Sequence, residues 1–317
     1  MTKQARLENF PIMMFAIVMG MSGLSIAYEK AAHLFKFSTF IPNILVLLTT
    51  TIFVAILATY IIKFFIFGKE VKKEFSHPVR INFFAAVPIS LLLLSVAYES
   101  VNTTVSVYFW WVGMFLQGYL TFHTISFWIN HNLEIQHSNP AWFIPIVGNV
   151  LVPVGGVEIV NHNFLMYFFA IGIFFWIILL TIIINRIIFH HQLANKFMPT
   201  LFIFIAPPAV GTIAYVKLTG HFDLFASFLF NIALFFTFLL FFMYKNFMKL
   251  EFFISWWAFT FPLTAVTIAS ILAYHKTGSM FCYYLAGVLL VISTIVVSFV
   301  AYKTIYHMFK KEICVIE

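Results

Sequence analysis

The sequence predicts an all-α polytopic membrane protein, a single domain over residues 1–317, on three observations. Of its 317 residues, 62% are hydrophobic and only 9% are charged, and the mean hydropathy is +1.00. That balance lies outside soluble domains and fits a helical membrane protein. Apolar windows of about 20 residues recur along the whole length with short links, so no soluble domain is left over. Proline or glycine interrupts every second window. In lipid, a broken helix survives only where its freed backbone groups face protein or a wet cavity, so breaks in five spans predict a shared central path.

Taken in order, the expected spans cover roughly 10–29, 41–67, 79–98, 104–130, 140–158, 164–188, 199–218, 223–245, 252–273 and 279–306. The head, Met1 to Asn9, is short and basic and is followed by no small-residue cleavage site, so the first window reads as a membrane helix and not a removable signal. Lys and Arg gather on one side of this arrangement, from Lys3 and Arg6 to Lys310 and Lys311. Only Lys30, Lys36, Lys217 and Lys276 fall on the other. The positive-inside rule then puts both termini in the cytoplasm and sends the odd spans outward, in a cell membrane of inner or plasma type. The net charge of +7 becomes mostly a cytoplasmic collar facing lipid headgroups, with no patterning for nucleic acid.

The alternation predicts a two-helix hairpin repeated five times. Pro11, Pro78, Pro140 and Pro199 open odd spans, where the missing N–H costs nothing. A breaker follows in each: Gly20, Pro88, Gly148 with Pro145 and Pro153 nearby, the Pro207-Pro208 pair, and Pro262. About nine or ten residues at 1.5 Å rise give about 14 Å, near the middle of a hydrocarbon core of about 30 Å. Each break is expected to expose backbone donors and acceptors to the lumen. The even spans are rich in Phe, Ile and Leu, as an outer lipid-facing wall would be. Five parallel odd spans would point their dipole N-termini at the cytoplasmic mouth, where Arg80, Lys245 and Lys249 are candidates to concentrate anions.

No Asp, Glu, Lys or Arg stands in the middle third of any expected span, which disfavours an ion-coupled carrier. His123 is the one titratable group placed deep, and it reads as a packing histidine. Glu29, Glu99 and Glu158 close odd spans on the outer side, hydrogen-bonded to loops. An enzyme is not expected: there is no metal-ligand spacing, no nucleophile paired with a base and no phosphate loop, so neither cofactor nor metal is expected. Cys282 and Cys314 make no disulfide framework.

Specific motifs carry a resemblance. Phe75-Ser76-His77-Pro78-Val79-Arg80-Ile81-Asn82-Phe83-Phe84, Val147-Gly148-Asn149, Phe204-Ile205-Ala206-Pro207-Pro208 and Trp256-Trp257-Ala258-Phe259-Thr260-Phe261-Pro262 occur in the order and spacing of one family. Over nearly the whole chain the sequence resembles the plant slow anion channels and their bacterial relatives, the tellurite-resistance/dicarboxylate transporter family. The resemblance implies ten transmembrane helices as five hairpins with quasi-fivefold symmetry around a central pore, a homotrimer with one pore per protomer, and passage of small anions such as nitrate and chloride. The alternative it leaves open is a proton-linked carrier of malate-like dicarboxylates or tellurite. It places the family's pore-occluding phenylalanine on Phe261, and its kink prolines on Pro88, Pro207 or Pro208, and Pro262. The first span departs from it, with Met19-Gly20 where bacterial relatives often have proline, so a straighter helix is expected there. The long phosphorylated termini of the plant channels have no counterpart, so kinase gating is not expected to carry over.

Overall fold

The computed structural model describes residues 3–314; Met1, Thr2 and Val315 to Glu317 of the expected head and tail lie outside them. Among the described residues all regular structure is helical. Eight helices are long and apolar enough to cross a membrane: α1 (Ile12–Phe35), α2 (Phe40–Ile66), α3 (Arg80–Tyr98), α6 (His162–Phe189), α7 (Asn195–Thr219), α8 (Leu224–Phe242), α9 (Ile254–Thr277) and α10 (Met280–Phe309). The fourth and fifth expected positions hold α4 (Thr103–Asn130) and the shorter α5 (Pro140–Gly156).

The helices sort into two layers. In α1, α3, α7 and α9, 72% to 83% of the apolar window is buried, whereas in α2, α6, α8 and α10 the share is 22% to 44%. Exposed large hydrophobic side chains such as Phe65, Phe122, Phe174, Phe242 and Phe309 therefore cover the even helices, as lipid-facing side chains would. Each odd helix packs on the even helix that follows it. The odd helices also touch one another in a closed order, α1 on α3, α3 on α5, α5 on α7, α7 on α9, and α9 back on α1.

Local sequence explains the helix boundaries. Asn102, Asn161 and Asp223 cap α4, α6 and α8, each side-chain oxygen accepting N–H bonds from the first turn. Gly220 and Gly278 end α7 and α9 with φ of 77° and 68°, the left-handed conformation that costs glycine nothing.

Every odd helix begins as a 3-10 helix and then turns α: Ile12–Met14, Arg80–Ala85, Pro140–Trp142, Asn195–Phe204 and Ile254–Phe259. These five segments touch in the same cyclic order as the helices they begin, so they form a second ring at one end of the bundle. The prolines mark the junctions. Pro88 and Pro262 are the third residues of the α segments Ala86–Tyr98 and Thr260–Thr277, and Pro207-Pro208 fill the second and third places of Ala206–Thr219. An α-helix has no internal partner for its first N–H groups, so proline is cheap there. The change of helix type thus precedes each proline. In α1 it lies at Phe15, and Gly20 falls inside the unbroken α segment Phe15–Phe35, in line with the straighter first helix.

Candidate pore

Two cavities lie along the axis of the inner ring, and each is lined by all five odd helices. The first, of about 80 Å³, is on the side of the 3-10 ends and is bordered by Met19, Ile89, Gly148, Pro207 and Pro262. The second, of about 40 Å³, is on the side of the C-terminal ends and is bordered by Ile26, Val96, Val154, Ile213 and Ala265. Leu151, Val210 and Phe261 line both, so they stand between the two. Phe261 is buried, 7% exposed. Its ring lies beside Gly23 of α1, where an added Cβ would come 3.1 Å from Phe261 Cδ2.

Glycine sets how closely α1 and α9 approach. A Cβ on Gly20 would overlap Thr260, and one on Gly23 would overlap Thr264. Small residues let the two backbones come together, with the Phe261 ring packed against Gly23 at the wall that both cavities share. Gly20 therefore serves contact between helices, and its neighbour Met19 borders the cavity. Pro88 and Pro208 do not line it either, whereas Gly148, Pro207, Phe261 and Pro262 do.

The lumen wall of the first cavity is almost wholly hydrocarbon, against the expectation that broken backbone would offer donors to it. Packed side chains take up several of the backbone carbonyls instead. Gln117 Nε2 and Thr121 Oγ1, from α4, both donate to the Pro145 carbonyl at 2.8 Å, and Asn149 Nδ2 donates to Thr121 Oγ1 and the Ile146 carbonyl at 2.7 Å. Trp110 Nε1 donates to the Val152 carbonyl at 2.9 Å. Buried polar residues lower the apolar character of α4 and support the interrupted backbone of α5. Thr200 and Ser255, the hydroxyl side chains at the wall, donate to the carbonyls of Phe197 and Lys196.

The His77-Pro78-Val79-Arg80-Ile81-Asn82 stretch is an end device for α3. His77 Nδ1 accepts the N–H groups of Val79 at 3.1 Å and Arg80 at 3.3 Å, and Asn82 Nδ2 returns to the carbonyls of Pro78 and Val79, both at 3.1 Å. Partial desolvation above all, then the neighbouring Arg80, His137 and Lys196, holds the His77 imidazole below its ordinary value of 6.5. Arg80 thus stands in a basic group with His77, His137 and Lys196, at the links that lead into α3, α5 and α7. Lys245 and Lys249 are exposed around the helix Tyr244–Met248 and line neither cavity. His137 and Lys196 were missed as neighbours of Arg80 in the sequence because they come from separate links.

The charged collar also needs correction. Lys63 is buried, its Nζ donating to Glu74 Oε2 at 2.9 Å and to the Phe10 carbonyl at 2.8 Å. Tyr60 also donates to Glu74 Oε2, and Glu74 Oε1 accepts the Ile12 N–H at 3.0 Å. The linker helix Gly68–Phe75 thereby places a carboxylate at the N-terminus of α1, where the helix dipole favours it. Arg186 is buried too, at 5% exposure. His123 stacks on Phe75 at 4.5 Å and lines neither cavity. Glu29 pairs with Lys30 and His33 of its own helix, and Glu99, just past the end of α3, pairs with Lys217 of α7; neither partner is in a loop. No group of three His, Cys, Asp or Glu among the described residues is placed to hold a metal.

An apolar lumen walled by inner helices and sheathed in exposed hydrocarbon defines a polytopic membrane protein with a central path. The chain belongs to the family whose model is described as SLAC1, voltage-dependent anion channel, which matches residues 9–305. It is 29% identical over 311 residues to the S-type anion channel SLAH3 of Arabidopsis thaliana, covering 96% of this chain and 49% of that protein. It is 26% identical over 314 residues to the guard cell S-type anion channel SLAC1 of the same plant, covering 96% and 56%. It is 25% identical over 307 residues to the tellurite resistance protein TehA homolog of Haemophilus influenzae, covering 94% and 90%. The chain thus spans about half the length of the plant relatives, and nearly all of the bacterial one.

Proposed function

We propose that the protein is an anion channel passing small monovalent anions, nitrate and chloride among them, through a neutral lumen occluded by Phe261. The observation that carries this reading is that Phe261, with Leu151 and Val210, borders both axial cavities. An apolar ring at a constriction excludes water and leaves no room for a hydrated ion. The basic group around Arg80 stands at the end where the 3-10 segments gather and would concentrate anions there.

In this reading α4 and α5 also cross the bilayer, making ten spans in five hairpins about a quasi-fivefold axis. Both termini are cytoplasmic, the membrane is the cell membrane, and residues 1–317 act as one channel domain. Pro88, Pro207, Pro208 and Pro262, with Gly148, shape the lumen by fixing where 3-10 helix gives way to α. The protomers assemble as a homotrimer with a pore in each. A monomeric mass in mild detergent with activity retained would refute the assembly.

The carrier alternative, for dicarboxylates or tellurite, requires a protonatable group on the path, and neither cavity is lined by a carboxylate or a histidine. Purified protein in planar bilayers separates the readings. A channel gives unitary anion currents with reversal potentials that follow the anion gradient. Saturable uptake driven by a pH gradient, with no unitary current, would overturn it.

A further inference from the structure

Of the five odd helices, α5 differs in its winding. The others leave 3-10 geometry once, near their start, whereas α5 returns to it at Gly148–Val150, between the α segments Phe143–Val147 and Leu151–Gly156. Leu151, the first residue after that turn, borders both cavities, and its N–H reaches back three residues to the Gly148 carbonyl.

In an unbroken α-helix the carbonyls of Pro145 and Ile146 would accept the N–H groups of Asn149 and Val150, four residues on. Side-chain donors reach them here. Gln117 Nε2 donates to the Pro145 carbonyl from α4, and Thr121 Oγ1 shares its proton between that carbonyl and the Gln117 carbonyl of its own helix, at 2.8 Å each. Asn149 Nδ2 donates to the Ile146 carbonyl and to Thr121 Oγ1. A carbonyl only accepts, so each amide must turn its nitrogen to it. The consequence shows at the other end of each group: Gln117 Oε1 and Asn149 Oδ1 are buried without a hydrogen-bond partner. Leaving two buried acceptors unsatisfied costs stability, and plain packing of α5 on α4 would be served better by hydrocarbon. The two amides are therefore explained by what they donate.

Winding decides which way Leu151 faces. A 3-10 helix advances about 120° and about 2.0 Å per residue, and an α-helix about 100° and about 1.5 Å. Over three residues the two differ by about 60° and about 1.5 Å. Rewound as α, the turn would swing Leu151 by that angle out of the wall that the two cavities share. We propose that Gln117, Thr121 and Asn149 are positioning residues for the constriction: by occupying the carbonyls of Pro145 and Ile146 they hold Gly148–Val150 in 3-10 geometry, and so keep Leu151 in the shared wall with Phe261 and Val210. None of the three lines either cavity. The inference rests on the channel reading, in which an anion passes that wall, and it adds a second part to the constriction, set from behind by α4.

The test uses the Phe261→Ala background, so that current is measurable, in planar bilayers with sodium chloride on both sides. Adding Leu151→Ala is expected to raise unitary chloride conductance about twofold or more, as removing bulk at a narrow point does. Gln117→Met together with Thr121→Val, which keep the shapes and remove the donors, is expected to give a rise of similar size without altering a lumen side chain. Thr121→Ser, which keeps the hydroxyl, is expected to give none. The combination decides: with Leu151→Ala already present, the α4 changes should add nothing, because they act through that side chain. Thr121→Val alone carries the comparison if the double α4 variant does not fold. No rise with Leu151→Ala, a conductance unmoved by the α4 variants while the melting temperature falls or stays, or a rise that persists undiminished on Leu151→Ala each overturns the proposal and leaves the channel reading standing. Absence of any anion current in Phe261→Ala itself overturns the channel reading, and this inference with it.

Discussion

Phe261→Ala removes a ring that borders both the cavity of about 80 Å³ and that of about 40 Å³, and on the proposed reading it is expected to join them into one path. In a close-packed core, Phe→Ala costs about 3–5 kcal/mol. Here the ring already faces empty volume on two sides, so fewer dispersion contacts are lost and the expected cost is about 1–2 kcal/mol. The gain in current is set by how much dehydration the ring imposes. If forcing an ion to shed water at the constriction adds about 2–3 kcal/mol to its barrier, truncation raises conductance about 30- to 160-fold at 1.36 kcal/mol per decade. Phe261→Leu, which narrows the lumen less than the ring and more than a methyl, should fall between the two. Bilayer conductance and thermal unfolding are measured on the same preparations. A fall in stability of about 3 kcal/mol or more without any gain in current would show a packing phenylalanine and remove it from the mechanism.

Three other outcomes follow from the geometry. With an uncharged first cavity, permeability should follow ease of dehydration, nitrate, iodide and bromide ahead of chloride, and chloride ahead of sulfate; bi-ionic reversal potentials check the order, and sulfate currents as large as nitrate currents would contradict it. Glu74→Gln leaves Lys63 buried without its counter-charge and should cost about 3–5 kcal/mol, visible as a lower melting temperature that Lys63→Met on the same chain largely restores. His77 is held below 6.5, so between its folded value and 6.5 the unfolded chain binds more protons and stability is lost as pH falls through that window. Protonation also removes the Nδ1 acceptor that caps α3, so His77→Gln should flatten the acid side of a stability-against-pH curve; an unchanged curve would show that His77 is not responsible.

The layered plan was legible because burial leaves its mark on composition. Phe, Ile and Leu without breaks marked α2, α6, α8 and α10, and those are the helices that expose hydrocarbon. The site was legible in part. Gly148, Pro207, Phe261 and Pro262 do meet at one cavity, but Gly20, Pro88 and Pro208 meet helices instead. A breaker announces a change in backbone and says nothing about which way its neighbours face. The 3-10 segments were illegible because Arg80–Ala85 and Ile254–Phe259 carry side chains that an α-helix accepts equally well; tertiary contact around the ring decides their winding. Lys63 counted as one more collar charge, since no local pattern shows that the linker helix Gly68–Phe75 folds back to pair Glu74 with it. Lys30 and Lys217 counted only as outer-side charges for the same reason: five helices, α2 to α6, lie between them in sequence, and they border one cavity only once the ring has formed.

That closure has a consequence for how the protein is made. The seam between α1 and α9 joins residues at opposite ends of the chain, with Tyr28 in α1 bonded at 3.0 Å to Thr294 in α10, 266 positions away. A ribosome delivers the first hairpin long before the last. Until α9 arrives, the face of α1 bearing Gly20 and Gly23 has no partner, and the carbonyls and hydroxyls along it must be shielded by lipid, by the translocation machinery or by a transient neighbour. Loops closed over so long a stretch form late and slowly. The ring is thus incomplete until α9 is in place, and a chain arrested before Thr260 can hold most of its helices without enclosing any path at all.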